Sequence, residues 1–328
     1  MKVKIKKNHL LIGLFLIVIL PSIFFLTRAG GEAEEVEPIN EVSDNEAKEI
    51  IKDDLIIDRV EGVPIPEIEA DAVYSFYYEK DGEKQVLFTK NRNKRLPIAS
   101  ITKLVTALVV HENYDLDSTI GISEQALFTD PLLYELRVFP DTTYGELLYP
   151  LLLESNNSSA YVAAVAPEDV EFDDFIEMMN SKAEEIDMRR TEFKNPSGLD
   201  NVRGVNLSTA QDVGKLTLRL LEIPIFWEIM RVTSYDIHSG SSNLYYRVET
   251  TNDFLNGNYF GADRPDWYDK ILGGKTGYTG KAGGTLLMVL ETESGYLINI
   301  ILGAEAHRER FEEMEKLIDW IYKAYKIK

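Results

Sequence analysis

Pro97-Ile98-Ala99-Ser100-Ile101-Thr102-Lys103-Leu104 sets a serine and a lysine three residues apart at the head of a run of good helix formers. In a helix, residues i and i+3 share a face with Cβ atoms about 5–6 Å apart, so the Ser100 hydroxyl and the Lys103 amine can meet. A serine hydroxyl is a weak nucleophile until a base takes its proton. Lysine can be that base only if its pKa falls from about 10.4 toward about 7–8, through burial or a neighbouring cation. Lys275, in Gly274-Lys275-Thr276-Gly277, is the candidate cation far along the chain. The spacing alone is weak and better fits an exposed helix start with serine as its cap.

Around this stretch the pattern alternates between sheet and helix. Ala72 to Tyr78 and Lys84 to Phe88, joined by Asp81-Gly82, predict a hairpin. The nucleophile helix is expected from Ser100 to Glu112, with Leu104, Leu108 and Val109 as its apolar stripe. Thr142 or Thr143 should cap a second helix ending near Leu153. Ser155-Asn156-Asn157 then turns into a further helix, Ser158 to Val165, for which Asn157 or Ser158 can also serve as N-cap. Helical periodicity returns in Phe172 to Ile186 and Ser208 to Glu222, and a hairpin is expected around Tyr245 to Val248. Ile271 to Lys275, Gly284 to Glu291 and Tyr296 to Ala304 read as three strands, followed by a closing helix from Glu309 to Lys326. The fold class is α/β (α+β): a five-stranded antiparallel sheet flanked by N- and C-terminal helices, with a helical second lobe and a cleft where the lobes meet.

Composition narrows the chemistry. The 328 residues are 45% hydrophobic, enough for a sizeable core, and the formal charge of −20 argues against nucleic acid as a partner. With no cysteine there are no disulfides, thiolate zinc sites or cysteine nucleophile. His9, His111, His238 and His307 form no H-x-x-x-H pair, so neither a metal nor a Ser-His triad is expected, and no cofactor.

The N-terminus speaks to compartment. Lys2, Lys4, Lys6 and Lys7 precede an uncharged run from Leu10 to Leu26, at the short limit for a membrane span. Residues 1–30 are therefore read as a single-pass anchor in the cytoplasmic membrane, with the rest of the chain on the extracytoplasmic face. A secreted form follows if Thr27-Arg28-Ala29 is cleaved. Residues 31–70, acidic and interrupted by Pro38, Pro64 and Pro66, read as a solvated stalk, leaving 71–328 as the catalytic domain. Residues 50–57 are a candidate short helix or docking strand. A Ser43-Asp44-Asn45 triplet inside the stalk precedes the nucleophile and carries no weight.

Ser-x-x-Lys, a Ser-x-Asn triplet and Lys-Thr-Gly in this order resemble the motif set of penicillin-binding proteins and class A β-lactamases. From about residue 70 to 325 the chain is similar to the serine D-alanyl-D-alanine carboxypeptidases, the low-molecular-mass penicillin-binding proteins. The resemblance rests on Ala99-Ser100-Ile101-Thr102-Lys103-Leu104, Phe193-Lys194-Asn195-Pro196-Ser197-Gly198-Leu199, Ser208-Thr209-Ala210-x-Asp212 and Gly274-Lys275-Thr276-Gly277-Tyr278-Thr279-x-x-Ala282-Gly283. It implies Ser100 as acylated nucleophile, Lys103 as its base, and Ser155 and Asn157 as proton relay and substrate-amide holder. Lys275, Thr276, Gly277 and Tyr278 would form the substrate wall, with Lys275 tuning the field at Lys103 and Thr276 taking the substrate carboxylate. The backbone N–H groups of Ser100 and Tyr278 would form an oxyanion hole. The implied substrate is the peptidoglycan stem peptide, with β-lactam antibiotics as inhibitors.

Two departures from the family pattern stand out: Asn156 where glycine is common, and a C-terminal end without the β-rich domain and basic amphipathic anchor of larger members. The same residues also serve D,D-endopeptidases and transpeptidases. A class A β-lactamase needs a Glu-x-x-x-Asn loop, and Glu192 stands only three residues before Asn195. A silent cell-wall binding protein would require a broken motif, and Ser100, Lys103, Asn157 and Lys275 are all present.

Overall fold

The first expected hairpin forms: β1 (Ala72–Glu79) and β2 (Lys84–Lys90) pair antiparallel across Asp81-Gly82, where Gly82 takes a φ of 105°. The computed structural model describes residues 56–121, 136, 138–166, 170–201, 203–241, 243–261 and 263–327. The membrane segment expected at 1–30 and the start of the stalk lie outside them. No helix among the described residues is long and apolar enough to cross a membrane.

After a two-residue strand β3 (Leu96–Pro97) and a 3-10 turn (Ala99–Ile101), helix α1 runs from Thr102 to Asn113. It is followed by α2 (Tyr144–Leu152), α3 (Asn157–Val165) and α4 (Phe172–Glu185). Strand β4 (Leu207–Ser208) pairs with β3, and α5 (Ala210–Leu221) and α6 (Pro224–Arg231) follow. The hairpin β5 (Ser234–His238) and β6 (Tyr245–Glu249) comes next, then β7 (Ile271–Thr279), β8 (Gly283–Glu291), β9 (Gly295–Ala304) and α7 (Glu309–Ala324). The five-stranded sheet has the order β2-β1-β9-β8-β7 with every neighbour antiparallel, so both ends of the domain close one sheet.

Strand periodicity divides the sheet into two buried faces. Ala72, Tyr74 and Phe76 of β1, with Leu287, Val289, Ile298 and Ile300, join the core that contains α1, α5 and α6. Val73, Tyr77, Leu286, Met288, Leu290, Leu297 and Ile301 point the other way, onto Phe311, Met314, Leu317, Ile318 and Ile321 of α7. A five-stranded sheet covered on both faces explains why β8 reads as a nearly continuous apolar run.

Helix α1 is buried on every side from Thr102 to Val110, well beyond the expected stripe, because it is the central helix of the second lobe. Thr143, not Thr142, caps α2, through a capping box in which the Glu146 backbone N–H donates to its hydroxyl and the Glu146 carboxylate accepts from the Thr143 N–H. Helix α6 had no counterpart among the elements expected from the sequence. It is an eight-residue segment opened by Pro224, with Phe226, Trp227, Ile229 and Met230 buried.

The stalk boundary is corrected. From Ile57 the chain is part of the domain, because Ile57, Ile68 and Ala70 are buried against the α7 face of the sheet. The Ile57 N–H donates to Gln85 Oε1 at 2.8 Å and Lys90 Nζ donates to the Ile68 carbonyl at 2.7 Å. This extended strap shares the α7 face of the sheet. Among the described residues only α7 flanks the sheet there as a helix. If the strap is integral, Ile68→Ala should lower unfolding free energy by about 2–4 kcal/mol. A urea midpoint unchanged from that of the parent protein would restore the stalk reading.

Candidate active site

Ser100 lies in the 3-10 turn that leads into α1, and the residue before it is forced into an unusual conformation. Ala99 has a φ of 45°, a region that costs a non-glycine residue about 1–2 kcal/mol. Two glycines hold it there. Gly198, with φ 85°, packs so closely that a Cβ on it would sit 1.9 Å from the Ala99 carbonyl oxygen. On the other side, a Cβ on Gly277 of β7 would meet Thr285 Oγ1 at 2.4 Å and the Ser100 nitrogen at 2.9 Å. β7 is an edge strand, so its unpaired side runs along the Ser100 turn. The backbone N–H groups of Ser100 and Tyr278 thus come from two chain segments in direct contact.

Lys103 is fully buried one helical turn on, and its Nζ makes three hydrogen bonds: to Ser100 Oγ at 3.0 Å, Asn157 Oδ1 at 2.8 Å and the Ser197 carbonyl at 2.6 Å. All three partners are uncharged. Burial lowers its pKa to about 7. The Ser197 carbonyl is held in place by the Asn195 side chain, whose Oδ1 accepts from the N–H groups of Ser197 and Gly198 and from Ser197 Oγ. Asn206 ties the back of that loop to the helix, donating to the Asn195 carbonyl and to Thr102 Oγ1. Thr106 donates to the Pro196 carbonyl at 2.6 Å. Sequence reasoning gave Phe193 to Leu199 no role. A backbone acceptor carries no residue-type signal, but three polar residues in Thr102, Thr106 and Asn206 facing one turn are its trace.

Between α2 and α3, Ser155 takes a φ of 62° and its Oγ accepts from Lys275 Nζ at 2.7 Å. Asn157, two residues on, accepts from Lys103. The second motif therefore joins the two lysines, one residue to each. Asn156 is the N-cap of α3, in place of Asn157 or Ser158: its Oδ1 accepts from the Ser159 N–H at 2.8 Å. This buried asparagine is engaged in the cap, and that accounts for its tolerance where glycine was expected.

Lys275 is also fully buried and donates to the Thr276 carbonyl. Burial lowers its pKa far below the ordinary lysine value, and the charges of Lys103 and Arg310 lower it further. Burial is the leading cause of both shifts, and the two lysines repel one another as a pair. Thr276 Oγ1 lies 2.6 Å from Thr251 Oγ1, and Tyr278 stands exposed at the rim.

Arg310 was missed. Its side chain is buried behind β7, with Nη1 donating to the Gly277 carbonyl at 2.7 Å and Nη2 lying 2.9 Å from His307 Nε2. It makes no ion pair among the described residues, and burial lowers its pKa to about 10. The signal was present: Arg310 interrupts the apolar face of α7 four residues before Met314 and seven before Leu317. Glu192, by contrast, lies on the surface, paired with Arg95 and Lys194. No group of residues suited to a metal ion occurs among the described residues. The arrangement offers a nucleophile, a base able to be neutral near pH 7, and a cationic wall, the requirements of acyl transfer on an anionic substrate.

The profile of the D-alanyl-D-alanine carboxypeptidase family matches residues 62–306. The chain is 28% identical over 272 residues to the D-alanyl-D-alanine carboxypeptidase DacF of Bacillus subtilis, a match spanning 81% of this chain and 66% of that protein. It is 27% identical over 245 residues to a D-alanyl-D-alanine endopeptidase of Pseudomonas aeruginosa, spanning 72% of this chain and 73% of that one. Among solved structures, penicillin-binding protein D2 of Listeria monocytogenes in its cefotaxime-bound form has a TM-score of 0.62 at 25% identity, covering 79% of this chain and 99% of that chain. The chain thus spans about two thirds of the Bacillus relative's length.

The glycine clamp gives a direct test. Gly198→Ala combines a forbidden contact with a strained φ and should cost about 2 kcal/mol or more and abolish covalent labelling of Ser100 by penicillin. Gly280→Ala, with open space around the added Cβ, should leave both unchanged. Equal labelling of the two variants would show that the turn does not depend on the clamp.

Proposed function

The chain belongs to the D-alanyl-D-alanine carboxypeptidase family, and from that premise we propose that it removes the terminal D-Ala of peptidoglycan stem peptides through an acyl-enzyme on Ser100. The observation that carries this reading is the 3.0 Å contact between Ser100 Oγ and a buried lysine whose pKa is about 7. Neutral Lys103 takes the Ser100 proton as Oγ attacks the carbonyl of the penultimate D-Ala. The oxyanion is met by the N–H groups of Ser100 and Tyr278. Loss of one such donor in comparable sites costs about 2.7–4 kcal/mol of transition-state stabilisation. Collapse of the tetrahedral intermediate breaks the peptide bond, D-Ala leaves with the proton held by Lys103, and water then hydrolyses the ester. The substrate carboxylate lies against Thr276, with Lys275 and Arg310 supplying positive potential from beneath.

β-Lactams acylate the same serine. Their ester is long-lived, because Glu192, which stands three and not four residues before Asn195, is tied to Arg95 and Lys194. Endopeptidase action on crosslinked peptides is the second reading, supported by the likeness to an endopeptidase.

Purified full chain incubated with a pentapeptide stem and with crosslinked wall fragments, followed by mass spectrometry, tests the reading. Release of one D-Ala is expected, with Ser100→Ala and Lys103→Arg inactive. Release of a crosslink alone would install the endopeptidase. Because the shift on Lys103 comes from burial, acylation should rise with pH through a limb centred near 7. The sign follows from the base: above its pKa lysine is neutral and accepts a proton, below it is not. Lys275→Gln, which removes a like charge, should slow acylation and move that limb upward. A limb left in place would remove the field-tuning role from Lys275.

We also propose that residues 1–30 anchor the domain on the extracytoplasmic face of the membrane. Support comes from the lysine cluster and the uncharged Leu10–Leu26 run. Deleting residues 1–30 should move the protein from the membrane to the soluble fraction with activity intact. Continued membrane partitioning would assign the attachment elsewhere.

A further inference from the structure

Arg310 presents a problem that the proposed chemistry does not solve. A buried guanidinium without a carboxylate partner is costly, and its orientation must be fixed by neutral acceptors. It has two: the Gly277 carbonyl on β7 and the Nε2 of His307, while its Nε finds no partner. Arginine can only donate, so Nε2 must accept and the imidazole proton must sit on Nδ1. The contact therefore exists only while His307 is neutral. Protonation would turn the acceptor into a donor and set two cations 2.9 Å apart.

His307 stands at the rim of the cleft, solvent-exposed and edge-on to Tyr278, with ring centroids 5.6 Å apart. The groups facing it from the packed elements are Arg310 on α7, Tyr278 on β7 and Asp253 in the turn after β6. Its own segment adds Glu305, Arg308 and Glu309. Arg308 is paired with Glu312, and the Glu309 carboxylate accepts from the Ala306 N–H, so neither competes for Nε2.

Resting on the carboxypeptidase reading, we propose that His307 is a positioning residue that acts through Arg310: its neutral imidazole holds the guanidinium against the Gly277 carbonyl and so sets the affinity of the site for the substrate carboxylate. Acid releases the grip. Partial burial and the Arg310 charge lower the His307 pKa, while Asp253 opposes them, so the release lies on the acid side of the ordinary histidine range. The effect belongs to binding and not to chemistry, because Arg310 acts on a carboxylate that is present in ground and transition states alike. It is therefore separable from the Lys103 limb, which governs acylation.

Binding to the full-length Ser100→Ala protein, which cannot be acylated, isolates the effect. Calorimetry with an acylated peptide ending in D-Ala-D-Ala should show Kd rising about tenfold from pH 7 to pH 5, the loss of one hydrogen bond to a charged group. Adding His307→Gln, which keeps an acceptor but cannot titrate, should flatten that dependence. Adding His307→Phe, which removes the acceptor, should raise Kd about tenfold at both pH values. A Kd independent of pH in the protein with His307, or an acid weakening that survives His307→Gln, overturns the proposal. The same series with a β-lactam carboxylate separates the two claims. β-Lactam binding with the His307 dependence, but no peptide binding at pH 7, would reject the carboxypeptidase reading and retain the positioning role.

Discussion

Three basic side chains, Lys103, Lys275 and Arg310, are buried around one cleft, and no carboxylate pairs with any of them among the described residues. Each such burial costs several kcal/mol even after relaxation, so the surroundings must supply compensating acceptors. Much of the local architecture serves that need. The Ser197, Thr276 and Gly277 carbonyls, the Ser100 and Ser155 hydroxyls and the Asn157 amide are all directed at these groups. The lysines answer by becoming easier to deprotonate, and Lys103 can be neutral near pH 7. An anion entering the cleft would supply the missing counter-charge, so the proposed hold on a carboxylate and the proposed acyl transfer would have one source.

The second constraint is steric. Ala99 and Ser155, each next to or within a motif, adopt left-handed backbone conformations that neither residue prefers. Such strain persists only where the surroundings over-determine it. The Ser100 turn is wedged between Gly198 and Gly277, and the Ser155 loop is pinned by the Lys275 bond and by the Asn156 cap that follows. Two glycines thus fix the position of a serine, and two helices fix the loop opposite.

Strand periodicity and the order of three short motifs make the sheet, its strand count and the contact of Ser100 with Lys103 legible from residue types alone. What stayed hidden shares a physical character. The Ser197 carbonyl is backbone and leaves no mark in residue type. Ile68 is a lone apolar residue in an acidic stretch and Ile57 closes the short run Leu55-Ile56-Ile57, and their burial is decided by α7 more than two hundred residues away. Helix α6 is too short for its periodicity to separate from a buried strand. The depth at which both lysines are buried is likewise not encoded in their spacing. Arg310 could have been found, since a charge on an apolar helical face asks for an explanation.

Where the chain enters and leaves the domain has a consequence of its own. The Val60 N–H donates to the Ala324 carbonyl, the Lys326 N–H donates to the Asp58 carbonyl, and Arg59 bridges Tyr325. The polypeptide therefore arrives and departs as an antiparallel pair at a single point. A leash fastened to either end would hang the cleft in the same orientation, so exchanging one terminus for the other as a point of attachment would leave the direction of the cleft unaltered.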